Sequence, residues 1–188
     1  MKKMSLSGLL LLAIALSASA QKSEINLNHS VVKWTGNKIG GSHNGEIKIK
    51  NGYIEFKGGI ITNGMVVMDM NSITNSDLKD EGYNQKLVGH LKSDDFFGVE
   101  KFPVASFQIT KAGDFTNGKA TMSGILTIKG KAENISFDVM KKENIYTAQV
   151  KVDRSKFDVR YGSNSFFDNL GDKAIDDIFI LDIQIVLL

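Results

Sequence analysis

Glu133-Asn134-Ile135-Ser136-Phe137-Asp138-Val139-Met140-Lys141 and, three residues on, Ile145-Tyr146-Thr147-Ala148-Gln149-Val150-Lys151-Val152-Asp153 carry the plainest pattern in the chain. Ile135, Phe137 and Val139 alternate with Asn134, Ser136 and Asp138, and Tyr146, Ala148, Val150 and Val152 alternate with Thr147, Gln149, Lys151 and Asp153. Strict period two places one set of side chains on a buried face and the other in water, which is a β-strand. The pattern spreads outward in both directions. Phe179, Leu181, Ile183, Ile185 and Leu187 make a long final strand, and Ile47 and Ile49 alternate with Glu46, Lys48 and Lys50. Strands are predicted near 30–38, 44–50, 53–61, 64–71, 103–111, 119–128, 133–141, 145–153 and 177–188. Asn51-Gly52, Gly58-Gly59, Asn63-Gly64, Asn117-Gly118 and Lys129-Gly130 read as the tight turns between them. Consecutive strands joined by short turns form an antiparallel meander, and closing it removes the exposed edges.

Two segments interrupt the alternation. Leu87 and Leu91, four apart, place a short helix at about 77–93, followed by an irregular turn through Ser93-Asp94-Asp95-Phe96-Phe97. Arg160 to Ile175 is a second irregular stretch and holds another aromatic pair, Phe166-Phe167. The two pairs either cap a barrel end or line its mouth, with a core role as the competing reading. Met65 to Met70 puts Val66, Met68 and Met70 on one face, and pliable methionine suits an irregular cavity as well as a filled core.

The N-terminus is read as a leader. Lys2-Lys3 precede an apolar run from Leu9 to Leu16 and the small-x-small site Ala18-Ser19-Ala20. This is the layout of a secretory signal peptide cleaved after Ala20, with one domain over 21–188. The run is too short to span a bilayer. The whole chain of 188 residues has net charge +2, and removal of Lys2 and Lys3 leaves 21 charges of each sign. A neutral chain lacks the basic surplus that binds a phosphate backbone, so nucleic acid is not expected as a partner. Zero Cys excludes disulfides, thiol chemistry and Cys-ligated metal.

No catalytic constellation is legible. His29, His43 and His90 fit no two-His metal spacing, and Ser42 beside His43 lacks the Gly-x-Ser-x-Gly setting of a nucleophile. The acidic stretches Asp94-Asp95 and Asp168 to Asp177 lack calcium-loop spacing. The expectation is no enzyme, no metal and no cofactor. An enzyme using His43 or His90 with a nearby carboxylate is the competing reading. Integral insertion as an outer-membrane barrel is disfavoured by Glu133, Asp138 and Lys141 on one strand.

The run Gly89-His90-Leu91-Lys92-Ser93-Asp94-Asp95-Phe96-Phe97, continued by Lys101-Phe102-Pro103-Val104-Ala105-Ser106-Phe107, resembles the signature of the YceI-like lipid-binding family. Val67-Met68-Asp69-Met70-Asn71-Ser72-Ile73, Gly124-Ile125-Leu126-Thr127-Ile128-Lys129-Gly130 and Asp153-Arg154-Ser155-Lys156-Phe157-Asp158-Val159-Arg160-Tyr161 also match in order. One departure is Gly130-Lys131-Ala132-Glu133, where the family pattern carries Thr-Lys-Pro.

The resemblance implies an all-β, extended, lipocalin-like antiparallel barrel of about eight strands. It further implies a periplasmic or secreted protein, often dimeric and without catalytic activity, whose cavity holds a polyisoprenoid, a quinone or a fatty amide. On that footing His90, Arg154, Arg160 and Tyr161 are expected at the cavity mouth, with Val66, Met68, Met70, Phe96, Phe97, Leu126, Phe166 and Phe167 lining. The competing reading of each arginine is a salt bridge with Asp94, Asp95 or Asp168. The competing reading of the whole is a filled envelope stress or structural barrel that acts through protein partners.

Overall fold

The computed structural model describes residues 20–188. The leader segment therefore lies outside the described residues except for Ala20. In chain order come β1 (Gln21–Glu24), β2 (Val31–Lys38), β3 (Gly41–Lys57), β4 (Ile60–Asp69), α1 (Glu81–Lys92), β5 (Val104–Ala112), β6 (Lys119–Ile128), β7 (Lys131–Lys142), β8 (Ile145–Asp153) and β9 (Ile175–Val186). All pairings are antiparallel, and the order β3-β2-β9-β8-β7-β6-β5-β4 returns to β3 through the β3–β4 ladder, closing an eight-stranded barrel. β1 is not a separate stave. It pairs with residues 53–56 of β3 while β2 pairs with residues 41–47, so β1 and β2 form one interrupted line.

The alternation read from the sequence is the inside–outside alternation of this wall. Val32, Trp34, Ile47, Ile49, Met68, Phe107, Ile109, Met122, Leu126, Ile128, Val150, Val152, Leu181 and Ile185 are all buried and belong to one core. An eight-stranded barrel has an interior just wide enough to be filled by side chains or to hold a single small ligand.

Two expected turns are corrected. Asn51-Gly52 and Asn63-Gly64 lie within β3 and β4, where Gly52 faces Val66 and Gly64 faces Ile54. The segments expected at 44–50 and 53–61 are thus one 17-residue strand up to Lys57. A register shift between Ile49 and Asn51 lets it bend around the barrel. Gly52 and Gly64 serve close packing. A Cβ on Gly52 would lie 2.5 Å from Ile25 Cδ1 and 2.6 Å from the Met65 carbonyl, and one on Gly64 would lie 2.7 Å from Ile109 Cδ1. Gly58-Gly59, Asn117-Gly118 and Lys129-Gly130 are the turns expected, each with both residues at positive φ.

α1 starts at Glu81, later than the sequence reading, because residues 75–80 are held in another way. Asn75 Oδ1 accepts from the Leu78 amide, Asn84 Nδ2 donates to the Asn75 and Leu78 carbonyls, and Asp80 caps the helix by accepting from the Tyr83 amide at 2.9 Å. The β7–β8 junction is unusual. Ladder pairing joins only Met140, Lys141 and Lys142 to Thr147, Tyr146 and Ile145, although β7 has 12 residues and β8 has 9.

Candidate functional site

Inside the barrel the space is divided into two chambers of about 120 Å³ and about 80 Å³, which share Val32, Met68, Leu126 and Leu181 as common wall. Both exceed by several-fold the ~10–15 Å³ that one water needs. The second chamber is walled by carbon-rich side chains from β3 to β9, among them Val66, Phe107, Met122, Ile135, Phe137 and Val150. The first lies toward α1 and is closed by Leu87, His90, Leu91, Phe96 and Phe97. Its polar rim is Asn37, Lys38 and His43 from the β2–β3 hairpin and Asp176 at the start of β9.

The expected lining residues divide clearly. Met68 and Leu126 stand between the chambers, Met70, Phe96 and Phe97 line the first, and Val66 lines the second. Phe166 and Phe167 do not line either chamber. They lie on the outer surface, 38% and 49% exposed, with the Arg160 guanidinium 5.0 Å from the Phe166 ring. Phe96 instead is 8% exposed and meets the His90 ring edge-on.

Of the four expected mouth residues, His90 lines the first chamber, its ring 5.8 Å from Phe96 and 4.3 Å from Tyr161. Tyr161 and Arg160 line a separate outer cleft with Phe167 and Lys129. Arg160 is exposed and pairs with Asp158, not with Asp94, Asp95 or Asp168. Arg154 is 2% exposed. Its Nε donates to the Asp176 carbonyl at 3.0 Å, Nη1 to the carbonyls of Val159 and Tyr161 at 2.8 Å each, and Nη2 to that of Ile175 at 3.0 Å. Asp177 Oδ1 lies 3.4 Å from Nη2. Four of the five guanidinium donors are thus bonded to backbone carbonyls, and the guanidinium carbon lies over the Phe96 ring, 5.5 Å from its centre. Burial lowers the Arg154 pKa while Asp177, Asp153 and Asp176 raise it, so the net shift is downward. Burial resists ionisation of Asp177, but hydrogen bonds from Ser163 and Ser165 and the Arg154 charge outweigh it and lower its pKa.

The structure gives His43 a partner. His43 Nδ1 lies 2.8 Å from Asp77 Oδ2, while Asp77 Oδ1 accepts from the Asn44 amide at 2.9 Å and from Asn75 Nδ2. Burial resists ionisation of Asp77, but these three hydrogen bonds outweigh it and lower its pKa from 3.8 to about 2. The pair sits 34 residues apart in sequence, a separation that periodicity does not reveal. Trp34, whose Nε1 donates to the Thr74 carbonyl at 3.0 Å, also lines the first chamber; its in-phase spacing with Val32 was the available signal. Among the described residues no three His, Asp or Glu side chains are grouped to hold a metal ion.

A folded-state pKa below the unfolded one makes the Asp77 carboxylate stabilising above about pH 4, a contribution lost as pH falls toward 2. Asp77→Asn is expected to remove that component. Urea unfolding at pH 5 and pH 2.5 should show the native chain losing ~1–2 kcal/mol more between the two than the variant does. Equal losses would contradict the assignment.

The family model for the YceI-like domain matches residues 24–187. A UPF0312 protein of Shewanella denitrificans is 29% identical over 141 residues, 72% of this chain and 71% of that protein. Burkholderia cenocepacia BcnA has the same fold, with a TM-score of 0.68 at 22% identity over 86% of this chain and 98% of that one. So does a polyisoprenoid-binding domain from Saccharophagus degradans implicated in plant cell wall breakdown, with a TM-score of 0.61 at 12% identity over 88% of this chain and 97% of that one. Among the described residues no helix is long and apolar enough to cross a membrane. Motifs, barrel topology and the match over nearly the whole described chain agree, and the protein belongs to the YceI-like domain family.

Proposed function

We propose that the protein is an exported carrier, with no enzymatic activity, that holds one long-chain lipophilic ligand of the polyisoprenoid, quinone or fatty-amide type along its barrel axis. The observation that carries this reading is the pair of apolar chambers that meet across a shared wall inside the barrel, with polar groups lining the first. Each methylene moved from water into such a space contributes about 0.8 kcal/mol, so a long tail binds with few polar contacts. The chambers are small beside the ~300–1,000 Å³ typical of drug-sized pockets, which favours a slender chain over a fused-ring body. Asn37, Lys38, His43 and Asp176 would receive the head group at the rim. Arg154, with its donors already engaged, would shape the wall without contacting the head group.

The basic, apolar and small-residue order of residues 1–20 supports cleavage after Ala20 and a periplasmic or secreted location. The polyisoprenoid-binding description of the Saccharophagus degradans domain agrees with the ligand class. The single Trp lies in the first chamber and gives a direct readout. Titration of residues 21–188 with geranylgeraniol is expected to change Trp34 emission saturably at one equivalent. An emission spectrum indifferent to geranylgeraniol, to a long-chain quinone and to oleamide would count against the carrier.

A further inference from the structure

We propose that the barrel has a side portal between β7 and β8, and that the apolar chain of the ligand enters and leaves through it. The inference rests on the carrier reading and adds a route to it. Three observations locate the portal. First, the β7–β8 ladder ends at Met140 and Thr147, so residues 131–139 and 148–153 face each other without pairing. Continuing the register would set Asp138 opposite Gln149 and Phe137 opposite Val150, yet Asp138 is bonded instead to Thr121 and Lys119, and Gln149 to Asp182. Each strand is tied to its other neighbour.

Second, Ile135, Phe137 and Ala148, which line the second chamber at this seam, are half-buried, as are Val66 and Ile183, whereas Phe107, Met122, Leu126 and Leu181 in the same chamber are buried. Third, Thr147, Ala148 and Ile183 line both the second chamber and an outer groove of about 410 Å³ that also contains Asp138, Met140 and Gln149. At these residues the wall between chamber and groove is one strand thick.

The chemistry of the opening suits an alkyl or isoprenyl chain. Its inner lip is Ile135, Phe137 and Ala148, apolar surface that a bound chain would cover. Below, the seam is blocked by the helical turn Arg154–Phe157, whose Phe157 is 1% exposed, and Lys129 Nζ ties that turn to the β6–β7 hairpin through the Asp158 carbonyl at 3.1 Å. Above, the Lys142–Ile145 hairpin closes it. The window is thus framed by fixed elements at both ends.

The chain has no Cys, so Ala148→Cys supplies a single reactive group at the portal. It is expected to react with N-cyclohexylmaleimide within about threefold of the rate of an exposed Lys48→Cys control. Stopped-flow uptake of geranylgeraniol, followed by Trp34 emission, should slow at least tenfold once the Ala148→Cys thiol carries the cyclohexyl group. The labelled Lys48→Cys control should keep the native rate and amplitude. An unreactive Ala148→Cys thiol, or a labelled Ala148→Cys variant that takes up the probe at the native rate, would overturn the portal and leave the carrier intact. A native chain that takes up neither geranylgeraniol nor a long-chain quinone nor oleamide would overturn both. Hydrogen exchange on the unmodified chain gives the same test without substitution. Amides of 132–138 and 149–153 that are not bonded to β6 or β9 should exchange far faster than those of β5, and equal protection would again overturn the portal.

Discussion

Arg154→Met is expected to lower the free energy of unfolding by ~3–5 kcal/mol, because four hydrogen bonds from a buried cation to backbone carbonyls are lost at once. The substitution keeps the stem and most of the packing against Phe96 while deleting every donor. It would orphan the carbonyls of Val159, Tyr161, Ile175 and Asp176 and leave Asp177 without its cation. Those carbonyls come from both ends of the 160–175 loop, so the guanidinium is the fastener that closes the loop against the barrel end. Arg154→Lys would not substitute, because one ammonium cannot reproduce the planar fork. Urea unfolding followed by Trp34 emission measures the effect. A loss under 1 kcal/mol for the Met variant would show that the loop is held by other contacts.

The second large effect concerns the cavity itself. Leu126 is 3% exposed and borders both chambers, so Leu126→Trp should plug the passage between them. Overpacking is expected to cost ~1–3 kcal/mol of stability, which the barrel should survive. Affinity for a series of saturated primary amides should rise with tail length in the native protein by up to ~0.8 kcal/mol per methylene. In the variant the rise should stop once the tail fills the first chamber, so five excluded methylenes would weaken binding by roughly a thousandfold. Parallel slopes for the two proteins would mean that the tail does not cross from one chamber into the other.

Much of the barrel was legible because its wall obeys one rule. A strand with one face on an apolar interior must alternate, and β5 to β9 do so, in register along the β5–β6, β6–β7 and β8–β9 ladders. The rule gave out where glycine had a second meaning. Gly58 and Gly59 adopt positive φ in a turn, whereas Gly52 and Gly64 let strands approach without a Cβ, and the Asn-Gly letters are the same in both settings. β1 escaped notice because Gln21-Lys22-Ser23-Glu24 has no apolar period and is ordered by pairing with residues 53–56.

The site was legible where side chains follow strand phase. Alternation alone puts Val66 and Met68 on one face, and both border the chambers. The irregular segments could not be read that way. Phe96-Phe97 and Phe166-Phe167 look alike in sequence, yet the first pair packs under α1 and the second is exposed. The reason is tertiary: His90 lies over Phe96, whereas Arg160 covers Phe166 from the outside. His43 and Asp77 illustrate the same limit, since their partnership depends on α1's approach segment lying against the β2–β3 hairpin.

The central claim is that the barrel carries a single long lipophilic molecule. Native mass spectrometry of residues 21–188, exported in a bacterial host and purified without detergent, tests it most directly when combined with analysis of an organic extract. A stoichiometric adduct of a few hundred daltons, with one dominant isoprenoid, quinone or fatty amide in the extract, is the predicted result. A clean apo mass that stays unchanged after incubation with all three ligand types would contradict it.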